Sequence, residues 1–226
     1  MRRVMAFLAL GLVAALPAAS SSAAGLDLRL GGFFPRADSN LFHDDSQLYH
    51  VSKDDWESFT GGVEGTFIVA RNVELGVHMD GYGKTIDTSY RDFVDSNGGQ
   101  IQQSLELDEL PVGFSIRFVS TNRRTRLAPY LAVGGDLVFW QYEEHGDFVD
   151  FLDPQKAIIH DHFRSTGVAP GFHAAAGLRV ALNEDFSLVG EGRYLYAKEH
   201  DMGEDFRGNE LDLSGWSATL GLHIRF

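Results

Sequence analysis

Leu211-Asp-Leu-Ser-Gly-Trp-Ser-Ala-Thr-Leu-Gly-Leu-His-Ile-Arg-Phe226 is the stretch that decides the fold. Counting back from its end, every second residue is apolar: Phe226, Ile224, Leu222, Leu220, Ala218 and Trp216. Between them stand Arg225, His223, Gly221, Thr219 and Ser217, which are polar or minimal. A period of two places the two sets on opposite faces of a strand. The run exceeds the ~9–11 residues with which a tilted strand crosses a bilayer.

Seven further stretches repeat the pattern. Leu26, Leu28 and Leu30 alternate with Asp27, Arg29 and Gly31 in a first strand reaching about Phe34. Others run from about Glu57 to Ala70, Val73 to Thr85, Ser104 to Val119, Ala128 to Tyr142, Phe163 to Leu182 and Phe186 to Lys198. The fourth strand changes parity: Leu110, Val112, Phe114, Ile116 and Phe118 share one face, while Leu105 and Leu107 have the opposite phase. The change falls beside Pro111, which cannot donate to a ladder, so a bulge is expected there. Connections alternate between long (35–56, 86–103, 143–162, 199–210) and short (71–72, 120–127, 183–185). No helical crossover for a parallel sheet is visible, which leaves an antiparallel meander. The expected fold is all-β, an eight-stranded up-and-down barrel whose interior is just wide enough for side chains to fill.

The chain opens with Met-Arg-Arg, an apolar run Val4 to Leu16, Pro17 and a small-residue segment ending Ser22-Ala23-Ala24. That is the form of a secretory signal peptide. It divides the chain into a leader, 1–24, and a barrel, 25–226, and no other segment is long and apolar enough for a transmembrane helix. Losing Arg2 and Arg3 with the leader takes the formal charge from −13 to −15, which argues against nucleic acid as a partner. Cysteine is absent, so a hydrogen-bonded scaffold must supply the stability of this exported chain. High Gly (25) and Phe (17) with few Pro (6) suit an all-β protein.

Parity alone does not say whether the apolar face looks at lipid or at a core. The polar face decides for lipid. Its charged positions are Asp27, Arg29, Glu64, Glu74, His78, Asp80, Arg117, Asp136, His173, Arg179, Glu191, Arg193, His223 and Arg225. Lysine is confined to two strand ends, Lys84 and Lys198, whereas a solvated face carries many. Arginine with acids suits paired charges in an enclosed space. The network expected in the lumen is Arg29, Glu64, Glu74, Asp80, Arg117, Asp136, Arg179, Glu191, Arg193 and Arg225, closing it as a plug rather than lining a pore. Aromatics band at both ends: Phe34, Trp56, Phe59, Tyr82, Phe139, Trp140, Tyr194, Tyr196 and Trp216 at the long-loop end, Phe118, Phe186 and Phe226 at the other.

An apparent leader, an eight-strand meander and a terminal Leu222-His223-Ile224-Arg225-Phe226 resemble the small outer-membrane barrels of the OmpA/OmpX/OmpW-like superfamily. The resemblance implies a place in the cell outer membrane, contact with its lipid and lipopolysaccharide, and a monomer. It also implies that Leu220, Leu222 and Phe226 form the signal read by the barrel-assembly machinery.

Three functions remain open: a structural or surface-interaction protein with a plugged lumen, an OmpW-like conduit for small hydrophobic molecules, and a lipid-A-modifying enzyme. The conduit predicts an apolar pocket and a lateral gap near Pro111. The enzyme predicts a convergent His/Ser/acid cluster, for which His173 with Ser187 or His223 with Ser217 would serve, though no local signature marks either. The long loops are acidic and carry His43, His145, His160, His162 and His200, which could hold divalent cations loosely against lipopolysaccharide phosphates. They read as solvated, flexible segments. No cofactor site, catalytic site or dedicated metal site is expected.

Overall fold

The computed structural model describes residues 24–120, 126–151 and 153–226. The leader expected over 1–24 lies outside them except for Ala24, as do Arg123 and Arg124 of the basic turn. The strands are β1 (Ala24–Pro35), β2 (Ser58–Ala70), β3 (Val73–Val94), β4 (Gln100–Val119), β5 (Leu127–Val149), β6 (Ile158–Ala181), β7 (Phe186–Glu199), β8 (Leu211–Asp212) and β9 (Gly215–Arg225). Every pairing is antiparallel between sequence neighbours, and β9 pairs with β1 to close the ring. The two-residue β8 continues the wall above β9 along β7, so the ring has eight positions. Closure leaves no unpaired edge in the wall.

The apolar set of each strand points outward. Leu30, Phe59, Phe114, Leu131, Phe172, Leu220 and Phe226 are each more than half exposed, Leu220 at 76%. The charged set points inward, with Glu64 and His78 fully buried. A surface of this kind is stable only against hydrocarbon.

The outward apolar face stops at a sharp level. In register, Leu110 faces Phe139 and Phe139 faces Val168, whereas two residues further up Asp108 faces Gln141 and Gln141 faces Thr166. Above that level β3 to β6 stand clear of the apolar band, and their inner face changes character. Tyr82, Ile86, Tyr90, Ile101, Leu105, Leu107, Trp140 and Tyr142 all point inward and are buried. The lower half is polar inside and apolar outside; the upper half is the reverse, as in a soluble barrel.

This inversion corrects the reading of β4. Its odd-numbered residues face inward throughout, from Ile101 past Leu105, Leu107 and Glu109 to Ser115, Arg117 and Val119. The register with β3 is the same on both sides of Pro111, Tyr82 opposite Glu109 and Met79 opposite Val112, so Pro111 carries no bulge. Hydrophobicity changes sides because the interior changes, not because the strand slips.

The long connections are also shorter and more ordered than expected. Strands β3 and β4 run on into most of 86–103, and β5 and β6 into most of 143–162. The first connection folds into the barrel mouth: a helix, α1 (Asn40–Leu48), buries Leu41 and Phe42, and a 3-10 turn, Lys53–Trp56, buries Trp56. Trp56 meets Phe42 edge-on at 5.3 Å, and its backbone carbonyl accepts from the Tyr82 hydroxyl. Met202, Phe206, Leu211 and Leu213 of the last connection complete this core. Three aromatics assigned to the upper girdle, Trp56, Tyr82 and Trp140, therefore belong to the interior, while Phe34, Phe59, Phe139 and Trp216 do face out.

Candidate functional site: the lumen

Four arginines cross the lower lumen. Arg29, on β1, reaches Glu64 at 2.6 Å, Glu191 at 3.0 Å and Asp80 at 3.0 Å. Arg117, on β4, reaches Asp27 at 2.8 Å and Glu64 at 2.9 Å, and its guanidinium lies 4.4 Å from the centre of the Tyr130 ring. Arg179, on β6, holds Glu74 at 2.9 Å. Arg193, on β7, holds Asp80 at 2.9 Å and Glu191 at 3.1 Å. Neutral donors fill remaining lone pairs: Tyr130 donates to Glu191 at 2.7 Å and Ser115 to Glu64 at 2.7 Å. Asp27, Glu64, Asp80 and Glu191 thus each meet more than one donor, the condition under which buried charge is tolerated, while Glu74 is bonded by Arg179 alone, with Arg117 at 3.9 Å.

Of the residues assigned to this network, Arg29, Glu64, Glu74, Asp80, Arg117, Arg179, Glu191 and Arg193 come together as ion pairs. Arg225 does not. It is exposed at the lower mouth, two residues beyond the last buried inward residue, His223, and makes no ion pair among the described residues. Asp136 is inside but meets no arginine; its oxygens face His78 Nε2 at 2.8 Å and His173 Nδ1 at 2.7 Å. These two histidines were visible on the polar face, but strand parity carries no sign that β3, β5 and β6 would bring them to one carboxylate.

Between the ionic layer and the apolar mouth lies a cavity of about 40 Å³, bordered by Arg29, Asp80, Glu109, Asp136 and Glu191. That is room for a few waters. Glu109 sits at this boundary, buried, and neither carboxyl oxygen has a hydrogen-bond partner among the described residues. Above it the mouth is closed by the apolar core.

A second polar cluster lies under α1, above the apolar band. The Tyr142 hydroxyl is 2.8 Å from Asp45 and 3.1 Å from Glu144. One hydroxyl proton is thus shared between two carboxyls. Burial pushes both carboxyls up, Asp45 well above the usual range with Glu144 adding repulsion, and Glu144 to about 7.

Among the described residues no hydrogen bond joins His173 to Ser187 or His223 to Ser217. Ser187 faces His223 across β7 and β9, but the His223 ring turns to Asp27 on β1. The terminal Leu220, Leu222 and Phe226 lie on the outward face, with Leu220 and Phe226 among the most exposed apolar residues.

A closed antiparallel ring with an apolar exterior and an ion-paired interior defines an outer-membrane barrel. The chain belongs to the family described as outer membrane protein beta-barrel domain, which matches residues 5–226. No curated protein matches it. Among solved structures it is similar to Neisserial surface protein A, at 10% identity and a TM-score of 0.50, covering 90% of this chain and 97% of that one. It is likewise similar to a major outer membrane protein from Thermus thermophilus, at 13% identity and a TM-score of 0.51, covering 91% and 100%. At those identities the likeness is one of fold. The cell outer membrane is its location.

Proposed function

We propose that this barrel is a structural or surface-interaction protein of the outer membrane, monomeric, with a lumen closed to solutes. The observation that carries the reading is the double closure. A layer of ion pairs spans the lower lumen, and an apolar core built on Trp56, Tyr142 and Leu107 fills the upper one. A solute crossing axially would have to break both. On this reading contact with partners falls to the polar rim of β3 to β6 and to lipopolysaccharide around it. Leu220, Leu222 and Phe226 serve as the assembly signal, and residues 1–24 as a cleaved leader. Planar-bilayer recording tests the closure: the protein gives no stable conductance of nanosiemens size, and a steady open state of that size overturns it.

One observation favours the conduit as a second reading. The β3–β4 pairing lapses over Asp80–Gly81 and Leu110–Pro111, where proline has no N–H to give. A hollow of about 840 Å³ opens beside it in the lipid-facing wall, over Gly61, Gly81 and Gly83 and between Leu30, Leu110 and Leu220, backed by Asp80 and Glu109. Gly81→Leu would fill it, since an added Cβ there meets nothing nearer than the Gly61 carbonyl oxygen, at an ordinary 3.9 Å. Uptake of a small apolar dye by cells, abolished in that variant, would establish the conduit; uptake equal to that of cells lacking the protein removes it.

A further inference from the structure

Among the described residues the lumen holds seven inward acids, Asp27, Glu64, Glu74, Asp80, Glu109, Asp136 and Glu191, against four arginines. The arginines account for five of those acids: Asp27, Glu64, Glu74, Asp80 and Glu191. Glu109 and Asp136 are left over; Glu109 meets no basic group among the described residues, whereas Asp136 does. Among the described residues no arginine or lysine reaches Asp136, and its side chain is only 1% exposed. A carboxyl so placed takes up a proton or faces a cation. Among the described residues the groups at hand are two imidazoles, His78 and His173, both buried, with ring centres 4.9 Å apart and nearly perpendicular.

We infer that His78, Asp136 and His173 form a binding site for one divalent transition-metal ion of the Zn²⁺ type. The inference is independent of whether the lumen is closed to solutes. One nitrogen from each ring and one carboxylate oxygen lie within 4.8 Å of one another. Two imidazoles and a carboxylate are the donors that suit Zn²⁺, Co²⁺ or Ni²⁺, whereas Ca²⁺ and Mg²⁺ ask for oxygen alone. Metal–nitrogen bonds of about 2.0–2.1 Å in tetrahedral geometry set neighbouring donors roughly 3.3 Å apart. The two imidazoles face different carboxylate oxygens, 2.8 Å to Oδ1 and 2.7 Å to Oδ2, so the contact to the ligating oxygen opens by about half an ångström and the other imidazole turns from the second oxygen onto the ion.

Space for the three side chains is built into the wall. A Cβ at Gly113 would come 2.5 Å from Asp136 Oδ1 and 2.9 Å from His78 Cε1, and one at Gly134 would come 2.5 Å from His173 Cε1. A water can supply the fourth donor, since the cavity that Asp80 and Asp136 border has room for one, while Asp80 itself stays held by Arg29 and Arg193. His78 Nδ1 and His173 Nε2, the nitrogens turned away from Asp136, have no partner among the described residues. Each ring is therefore held through the nitrogen that faces the carboxylate. An ion here would tie β3, β5 and β6 together at the level where the lumen passes from polar to apolar.

The site is enclosed, so the ion is supplied while the barrel forms. Tag-free full-length protein is unfolded in urea with a chelator, freed of the chelator, and refolded into detergent micelles with Co²⁺. Folding is scored by heat-dependent gel mobility. The expected result is one equivalent of retained cobalt with visible d–d absorption, falling to near zero in Asp136→Asn and in His78→Gln/His173→Gln. His223→Asn, at the other end of the lumen, retains it. Folded wild type without cobalt overturns the inference. Cobalt retained undiminished by the folded double variant also overturns it, because the ion then sits on the exposed histidines of the rim. If both site variants fail to fold, the wild-type spectrum decides alone: bands of imidazole ligation in an enclosed low-coordinate site support the inference, and six-coordinate aquo-type bands overturn it.

Discussion

Leu107 and Arg117 lie on the same inward face of β4, and both are within 1% of complete burial. One is packed in an apolar core and the other is clamped between Asp27 and Glu64. The same strand face meets two different interiors because the bilayer ends between them. Below that level the outer face must be apolar, so charge is gathered inside. Above it water takes the outer face and apolar residues turn in.

Arg117 is the most enclosed of the lumenal cations. Its replacement by alanine strands Asp27 and Glu64 with one fewer partner and costs about 3–5 kcal/mol, the usual loss when one half of a buried ion pair is removed. Arg225→Ala, at the exposed lower mouth, changes stability by less than about 0.5 kcal/mol. Urea unfolding in detergent micelles measures both, and equal effects would refute the distinction.

Trp56→Ala removes the more deeply buried of the two tryptophans in the mouth and costs about 3–5 kcal/mol locally. Because Trp56 packs on Phe42 of α1 and on Tyr142, the loss frees the cap and leaves the ring intact. Limited proteolysis should cut between residues 36 and 57 in the variant while heat-dependent gel mobility stays that of a folded barrel.

The cap is also sensitive to pH. Asp45 and Glu144 ionise less readily folded than unfolded, because burial raises both carboxyls, Glu144 to about 7 from an ordinary 4.5. A group with a raised folded pKa contributes stability that is complete below its unfolded value and is lost as pH rises through the folded one. For Glu144 that window runs from about 4.5 to about 7. Protection factors over residues 40–56, with the base-catalysed rise in intrinsic exchange divided out, should therefore be higher at pH 5 than at pH 8, and Glu144→Gln should flatten the difference.

The level at which the membrane ends can be located by arginine placed on the outer face. Val133→Arg, well inside the apolar band, should cost about 2–4 kcal/mol. Thr166→Arg, just above the Phe139–Val168 level, should cost almost nothing. A large penalty at Thr166 would move the boundary up the wall.

The ring was legible in the sequence because alternation is local: each strand announces its own two faces. The sense of those faces was legible too, from the near absence of lysine on the charged one. Two things were not. Leu105 and Leu107 read as a slip since a period of two cannot distinguish a shifted strand from a changed environment. The residues of 35–56 read as solvated because their apolar members, Leu41, Phe42, Tyr49, Val51 and Trp56, follow neither period for long; their partners are inward side chains on distant strands. In the lumen, the ion pairs followed from facing positions on a closed ring, but the meeting of His78 with His173 depends on curvature across four strands. Arg225 shows the opposite limit, since parity placed it inward without saying that the wall ends there.

The reversal along β4 and β5 restricts how the outer half can vary in length. Inserting a single residue into β5 between Phe139 and the hairpin tip would rotate everything beyond it, turning Tyr142 out into water and Glu143 into the cap. Hairpins that stand above the membrane can therefore grow or shrink only by two residues at a time, with the paired strand changing in step. The height of the rim is quantised, while the span below it is fixed by the thickness of the lipid.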